Sequence, residues 1–122
     1  MTSGTAGSRI LIIEDSPVIA LATEEMLRAL GHVPLGPTGN MASALEYAER
    51  EEMDAAIVDL NIRGTKTFTL LGILERRRIP FLIISGYADW KMPDGWSGRA
   101  RLQKPFSEEQ LQAKLGEILS ER

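Results

Sequence analysis

The sequence predicts an α/β fold in which helices cover both faces of a five-stranded parallel sheet. The first observation is a set of short, nearly continuous apolar runs, at Ile10–Ile13, Ala55–Leu60 and Phe81–Ile84. Such runs are typical of parallel strands that are buried on both faces. The second is that apolar residues at helical spacing fill the stretches between the runs. The third is size, because 122 residues with 43% apolar side chains suit one compact domain.

The first helix is predicted to follow the first apolar run directly. Ser16 is a typical N-cap residue, Pro17 suits the first helical position, and Gly31 suits the end of the helix. Apolar side chains recur at every fourth residue and are expected to face the sheet: Val18, Ala22, Met26 and Leu30.

The remaining elements alternate between strand and helix. A second, more exposed strand is predicted over His32–Gly36, and Asn40 is a suitable N-cap for a second helix with one apolar side. A third helix is predicted near Lys66–Arg77, and a fifth strand near Ala100–Gln103. The last helix begins with a capping box, Ser107–Gln110, ahead of apolar residues at helical spacing.

This alternation predicts right-handed crossovers and a doubly wound sheet in the flavodoxin-like strand order 2-1-3-4-5. Residues 86–103, which include Pro93, Gly95 and Gly98, must supply both a crossover and the fifth strand. The fourth helix is therefore expected to be short or absent.

Composition and charge exclude several classes of protein. A balance of 14 basic and 17 acidic side chains offers no general excess of positive charge to a nucleic acid. The lack of cysteine excludes disulfides and thiolate metal sites. No apolar run approaches the ~20 residues that cross a bilayer, so we expect no membrane insertion and a cytoplasmic location. The small and polar residues Met1–Ser8 are expected to form a flexible tail, with residues 9–122 as the domain.

Polar residues stand at the predicted carboxyl ends of the first, third, fourth and fifth strands, on the edge where open parallel sheets bind their ligands. They are Glu14, Asp15, Asp59, Ser85 and Lys104. At an effective dielectric constant of about 20, close carboxylates repel by about 4 kcal/mol per pair, so a cation is expected beside them. Oxygen ligands without histidine or cysteine favour Mg²⁺ over zinc. Glu14, Asp15 and Asp59 are the candidate ligands, and the backbone carbonyl of Asn61 is a further one.

Asp59 is the candidate nucleophile of this cluster. A carboxylate beside Mg²⁺ can attack phosphorus and form an acyl phosphate, which needs mainly alignment and neutralisation of the phosphoryl oxygens. Lys104 is expected to neutralise one of these oxygens, and the Ser85 hydroxyl to donate to another. Gly86 either lets the backbone approach the phosphoryl group or is an ordinary turn glycine. The bond between Lys104 and Pro105 is a candidate cis peptide bond that would aim the lysine inward.

Taken in order, Glu14–Asp15, Asp59, Ser85 and Lys104–Phe106 resemble the receiver domain of two-component response regulators over residues 9–122. The resemblance implies that Asp59 accepts a phosphoryl group from a histidine kinase or a histidine phosphotransfer protein, with Mg²⁺ as cofactor. It implies a signalling domain that is not an enzyme and catalyses only its own phosphoryl transfer and dephosphorylation. The stretch Phe81–Tyr87 and the short passage to the lysine also resemble the FATGUY subgroup of receivers, which are mostly single-domain proteins.

Two departures from the receiver pattern leave alternatives open. Arg101 stands three positions before the lysine, where most receivers carry an aromatic switch residue, and Asn61–Gly64 replaces the common Met-Pro turn. A pseudo-receiver that binds partners without being phosphorylated is therefore the main alternative. A flavodoxin-type cofactor binder or a small phosphatase is another, although Glu14–Pro17 is not a Ser/Thr/Gly-rich phosphate loop. Output is expected through protein–protein interaction, with the Tyr87–Arg101 face as the candidate partner surface.

Three other features receive structural interpretations. His32 is the only histidine, and it is expected at a strand edge rather than at a metal. Trp90 and Trp96 lie in the irregular crossover, where they are expected to cover the sheet that a full helix would cover. The basic run Arg76–Arg78 is accounted for by the dipole of a helix C-terminus.

Overall fold

A computed structural model describes residues 7–86, 95–96 and 98–120 of the chain, and residues 1–6, most of the predicted tail, lie outside these ranges. The strands are β1 (Arg9–Ile13), β2 (Val33–Thr38), β3 (Ala55–Asp59), β4 (Asn61–Ile62), β5 (Thr65–Lys66), β6 (Phe81–Ser85) and β7 (Arg101–Gln103). The helices are α1 (Pro17–Ala29), α2 (Met41–Arg50), α3 (Phe68–Arg76) and α4 (Glu108–Leu119). Within the described ranges, every helix is too short or too polar to cross a membrane.

One parallel sheet contains five of the strands, in the order β2-β1-β3-β6-β7. This confirms the predicted order, because β6 and β7 are the fourth and fifth strands of the sheet in sequence. The central strands run in register, with Ile12 beside Ile57 and Ile57 beside Leu82. These residues are fully buried and belong to the apolar runs that predicted the sheet.

The core lies on both sides of the sheet. On one side, alternate residues of β1 and β3 pack with α2 and α3, in a cluster that includes Leu11, Val58 and Leu70. On the other side, the intervening residues pack with α1 and α4, in a cluster that includes Ile12 and Leu115. Because the described helices pack on both faces of the sheet, the ends of its strands are the places where a ligand is expected to reach it.

The prediction of which residues of α1 face the sheet is wrong at the beginning of the helix. Val18 is 79% exposed, and the side chains of Ala20 and Thr23 are buried instead. In a helix with 3.6 residues per turn, a row of every fourth residue rotates by about 40° per step. The row therefore turns across the helix surface, and only its later members, Met26 and Leu30, pack against the core.

The predicted helix caps are confirmed. The side chains of Ser16 and Asn40 each accept a hydrogen bond from a backbone N–H in the first turn of the helix that follows. Ser107 and Gln110 form the reciprocal capping box of α4. α3 begins at Phe68, later than predicted, because a hairpin precedes it.

The hairpin β4–β5 has no counterpart in the sequence prediction. Its two antiparallel strands are joined by Arg63 and Gly64, whose φ angles are 51° and 88°. Positive φ at both central residues is the requirement of a type I′ turn. Strands of two residues are too short to produce a period-two pattern, so the hydrophobic pattern does not reveal them.

The predicted short or missing fourth helix falls mainly on residues 87–94 and 97, which lie outside the described residues, as does Trp90. Trp96 lies in the described part of this crossover, and its ring centroid is 6.1 Å from those of Phe68 and Phe81. The Arg99 guanidinium lies over the Trp96 ring, 4.8 Å from the ring centroid. Trp96 thus packs against the core in the covering role that was expected.

Candidate functional site

The sequence-predicted site residues come together at one edge of the sheet. Asp59 and Ser85 are the last residues of β3 and β6, while Glu14 directly follows β1 and Lys104 directly follows β7. In the β3–β6 register Asp59 lies beside the residue before Ser85. The Lys104 N–H donates to the Ser85 carbonyl oxygen at 2.8 Å, which fixes the end of β7 against β6. Parallel strands place their carboxyl ends together, and this is the reason why the prediction from strand ends succeeds.

Lys104 lies between two buried carboxylates. Its Nζ donates to Asp59 Oδ2 at 2.8 Å and to Glu14 Oε1 at 3.1 Å. Asp59 and Glu14 are only 2% and 3% exposed, so both carboxyl groups are removed from bulk water. The Lys104–Pro105 peptide bond is cis, as the sequence analysis suggests.

Asp15 completes an acidic cluster with these two residues. One carboxylate oxygen from each of Glu14, Asp15 and Asp59 lies within 4.8 Å of the others. Asp15 is half-buried, whereas its two neighbours in the cluster are buried. The cluster therefore opens toward solvent on the Asp15 side.

Backbone N–H groups hold each carboxylate of the cluster. Ser16 N–H donates to Glu14 Oε2 at 2.9 Å, and Asn61 N–H donates to Asp59 Oδ1 at 3.1 Å. The N–H of Arg63, in the hairpin turn, donates to Asp15 Oδ2 at 2.8 Å. The hairpin thus contacts two of the three carboxylates.

Burial has opposite effects on the two kinds of charge in the site. The pKa of Glu14 is raised to about 7, mainly by burial and further by the charge of Asp59. The hydrogen bond from the Ser16 N–H and the charge of Lys104 lower this pKa, but they do not cancel the increase. Burial alone would lower the pKa of Lys104, but its hydrogen bond with Asp59, the charge of Asp59 and the Glu14 contacts raise it. The lysine therefore remains charged at neutral pH.

The donor set fits a hard divalent cation. Lys104 supplies one positive charge opposite three carboxyl groups, and all the candidate ligand atoms of the cluster are oxygens. Oxygen donors that are partly open to water suit Mg²⁺, which keeps several water ligands, better than they suit zinc.

Ser85 and Gly86 lie at the carboxyl end of β6, on the edge of the sheet that carries the cluster. Ser85 is buried at 8% exposure, at the end of β6. A Cβ atom added at Gly86 would meet no heavy atom of the described chain within 4 Å, so packing there does not require glycine.

Two further residues contact the site and are not among the sequence-predicted ones. A Cβ atom added at Gly39, between β2 and α2, would lie 3.2 Å from Asp15 Cα and from the Glu14 carbonyl oxygen. Thr67 is fully buried, and its hydroxyl donates to the Asp59 carbonyl oxygen at 2.8 Å. The strand-end rule that located the carboxylates extends to Gly39, which follows β2, whereas a hydroxyl-to-backbone contact gives no sequence pattern.

Comparison with known proteins agrees with this geometry. The family model described as response regulator receiver domain matches residues 10–116. The chain is 35% identical to SdrG from Sphingomonas melonis Fr1, whose solution structure gives a TM-score of 0.85 and covers 97% of this chain and 99% of that one. The BeF3-activated conformation of SdrG gives a TM-score of 0.79 at 36% identity, with 98% and 99% covered.

Two other relatives differ more in sequence. The receiver domain of sensor histidine kinase PA1611 from Pseudomonas aeruginosa PAO1, solved with a magnesium ion in its active site cleft, is 27% identical. Its TM-score is 0.78, with 94% of this chain and 99% of that one covered. The transcriptional regulatory protein PdtaR of Mycobacterium tuberculosis is 28% identical over 103 residues, which are 81% of this chain and 50% of PdtaR. The chain thus spans about half the length of that relative. The match of sequence, topology and site means that this chain belongs to the response regulator receiver domains of two-component systems.

Proposed function

We propose that this receiver domain accepts a phosphoryl group on Asp59, in a Mg²⁺-dependent transfer from the phosphohistidine of a histidine kinase or a phosphotransfer protein. The observation that carries the proposal is the placement of Lys104 Nζ 2.8 Å from Asp59 Oδ2, beside three clustered carboxylates. A buried carboxylate that is held by a lysine at the open edge of a parallel sheet is suited to nucleophilic attack.

Glu14, Asp15 and Asp59, together with the backbone carbonyl of Asn61, would hold the Mg²⁺ ion. When bound, Mg²⁺ supplies positive charge that offsets the negative charge on the phosphoryl oxygens and on the carboxylates. The oxygen-only donor set supports this assignment, as does the magnesium ion in the active site cleft of the related PA1611 receiver.

In the proposed transfer, one Asp59 carboxylate oxygen attacks phosphorus. The P–N bond of the phosphohistidine breaks, and the imidazole nitrogen keeps the bonding electron pair. Lys104 already contacts the carboxylate and neutralises a phosphoryl oxygen. The Ser85 hydroxyl, at the neighbouring strand end, donates to a second oxygen, and Gly86 lets its backbone approach the group.

The proposed output is a change of protein–protein contacts. Movement of Ser85 and Lys104 toward the phosphoryl oxygens would bias the β6–β7 face between two arrangements, as ligands do when they favour one state. The candidate partner surface, Tyr87–Arg101, lies mostly outside the described residues. Arg101 on β7 occupies the position of the usual aromatic switch residue, so the proposed output does not use an aromatic rotamer. A cytoplasmic location remains part of the proposal.

The test is to incubate the protein with acetyl phosphate and Mg²⁺ and to measure its intact mass. We expect a gain of one phosphoryl group in the wild type and none in Asp59→Asn. Asp54→Asn is the matched control, because Asp54 stands just before β3, at the opposite end of the strand from Asp59, and accepts a hydrogen bond from the Arg9 N–H. This control should be labelled like the wild type. If the wild type gains no mass, the chain is instead a pseudo-receiver that binds partners without being phosphorylated.

A further inference from the structure

Thr67 occupies the N-cap position of α3 but does not act as a cap. It is fully buried, and its side chain makes no capping hydrogen bond to the helix. A threonine in this position usually accepts a hydrogen bond from a backbone N–H of the first turn. Here the hydroxyl donates its proton to the Asp59 carbonyl oxygen at 2.8 Å. The Thr67 side chain therefore contacts the backbone at the end of β3 and does not cap α3.

Thr67 contacts two consecutive peptide groups at the end of β3. Its hydroxyl binds the Asp59 carbonyl, and its N–H donates to the Leu60 carbonyl oxygen at 3.0 Å. The direction of the Asp59 carbonyl defines the ψ angle of Asp59, and so relates its side chain to the chain that follows. Two hydrogen bonds from one buried residue thus fix the backbone from which the carboxylate projects.

The same contacts close the base of the hairpin. The chain leaves β3 at Leu60, forms β4 and β5, and returns at Thr67. The hairpin in turn supplies N–H donors to the carboxylates of Asp59 and Asp15, at 3.1 and 2.8 Å. A displacement at the hairpin base would therefore move the donors of both carboxylates.

We propose that Thr67 is a positioning residue for Asp59, and that its hydroxyl holds the carboxylate in line for the phosphoryl group and in place for the cation. The role in alignment for the phosphoryl group rests on the proposed function. The role in placing the carboxylate for the cation concerns only the binding of the ion. Reactive groups must be held close to their attacking geometry, and small displacements lower the rate steeply.

The experiment compares three single substitutions. Thr67→Val keeps the shape of the side chain and removes the hydroxyl, whereas Thr67→Ser keeps the hydroxyl. Thr23→Val is the matched control, because Thr23 is also buried and its hydroxyl donates to the Ile19 carbonyl oxygen at 2.7 Å, within α1. Folding is checked by circular dichroism, and Thr67→Ala replaces the valine variant if the latter does not fold.

Two quantities are measured on each variant: the rate of labelling by acetyl phosphate and the Mg²⁺ dissociation constant by calorimetry. We expect Thr67→Val to slow labelling by about tenfold or more and to weaken Mg²⁺ binding, with both restored in Thr67→Ser. Thr23→Val should match the wild type in both. Equal labelling and equal Mg²⁺ binding in Thr67→Val and wild type would overturn the inference, and so would equal losses in Thr23→Val.

The two measurements also separate this inference from the proposed function. If the wild type is not labelled at all, the proposed function fails, and the inference then stands or falls on Mg²⁺ binding alone. If the wild type is labelled and Thr67→Val is labelled as fast, with unchanged Mg²⁺ binding, the proposed function stands and the inference fails.

Discussion

Lys104 forms ion pairs with two carboxyl groups that are themselves almost fully buried. Its Nζ lies 2.8 Å from Asp59 Oδ2 and 3.1 Å from Glu14 Oε1, and its own side chain is 16% exposed. Removing one partner of a buried ion pair leaves uncompensated charge behind, which is far more costly than losing a surface pair. The lysine therefore has a structural role in addition to the proposed chemical one.

We predict that Lys104→Met lowers the free energy of unfolding by about 3 kcal/mol in the absence of Mg²⁺. Added Mg²⁺ should recover part of the loss, because it supplies positive charge to the same carboxylates. Urea denaturation with and without Mg²⁺ measures both effects. Lys114→Met is the control, since the exposed pair between Lys114 and Glu117 at 3.6 Å contributes about 0–1 kcal/mol. Similar losses in the two variants would contradict the prediction.

His32 links stability to pH, although it lies outside the site. It is buried at 9% exposure, and its Nδ1 accepts a hydrogen bond from the Ser8 N–H at 3.3 Å. Burial lowers the pKa of His32 below its ordinary value of 6.5. The neutral ring is therefore the form that the folded state favours.

The sign of the effect follows from which state binds more protons. Between the lowered folded pKa of His32 and the unfolded value of 6.5, the unfolded chain carries the proton and the folded chain does not. The contribution of His32 is thus complete above pH 6.5 and is lost as the pH falls through the folded value. We predict that His32→Gln removes this part of the pH dependence, measured as the difference between two urea series from pH 8 to pH 5. Parallel curves for the two proteins would exclude the effect.

The β4–β5 hairpin is the element that the sequence analysis missed, and it supplies donors to the acidic cluster. Its turn places Arg63 at a φ of 51°, in the left-handed region that costs an L-residue about 1–2 kcal/mol. Asparagine tolerates this region better than most other residues apart from glycine, and Asn-Gly is the favoured pair for a type I′ turn. The backbone N–H that contacts Asp15 is present whatever side chain stands at the position.

We predict that Arg63→Asn raises the free energy of unfolding by about 0.5–1 kcal/mol, and that Arg63→Val lowers it by at least as much. Both substitutions remove the same positive charge, so their difference reports only the tolerance of positive φ. Urea denaturation of the two variants and the wild type gives the comparison. If the asparagine and valine variants have the same stability, the turn does not have the conformation described.

At the scale of the whole molecule, the ion and the fold should stabilise each other. The cluster joins two residues that follow β1 with the last residue of β3, so the unfolded chain does not contain the site. A ligand that binds only the folded state stabilises it by RT ln(1 + [L]/Kd), which is about 2.7 kcal/mol at a hundredfold excess over Kd.

We therefore predict that saturating Mg²⁺ raises the melting temperature of the wild type, and that Asp15→Asn abolishes most of the increase. The substitution keeps the size of the side chain but replaces a carboxylate oxygen with an amide nitrogen. Differential scanning calorimetry across a Mg²⁺ series measures the shift, and Asp54→Asn serves as the variant with an unaltered site. A wild type whose melting temperature ignores Mg²⁺ would contradict the proposed ion site.

The position of the candidate site residues could be predicted from the sequence, because long apolar strands are recognisable and their carboxyl ends define one edge of the sheet. Asp59 and Lys104 follow from that rule, and so does the strand order of the sheet. The exposed beginning of α1 at Val18 escaped prediction because a four-residue spacing only approximates the helical repeat. The contact of Thr67 could not be predicted, because a hydrogen bond from a side chain to a backbone carbonyl produces no periodic pattern in the sequence. Membership of the FATGUY subgroup stays a prediction.

Gly39 has a consequence for how this domain tolerates alteration. The connection from β2 to α2 has the length and composition of an ordinary surface loop, yet it touches the backbone of Glu14 and Asp15 so closely that even a methyl group would press on them. Peptide tags, loop extensions or grafted epitopes placed there would press on the backbone that carries two carboxylates of the acidic cluster. Engineering of this receiver as a biosensor should therefore leave that connection unaltered and place its insertions elsewhere.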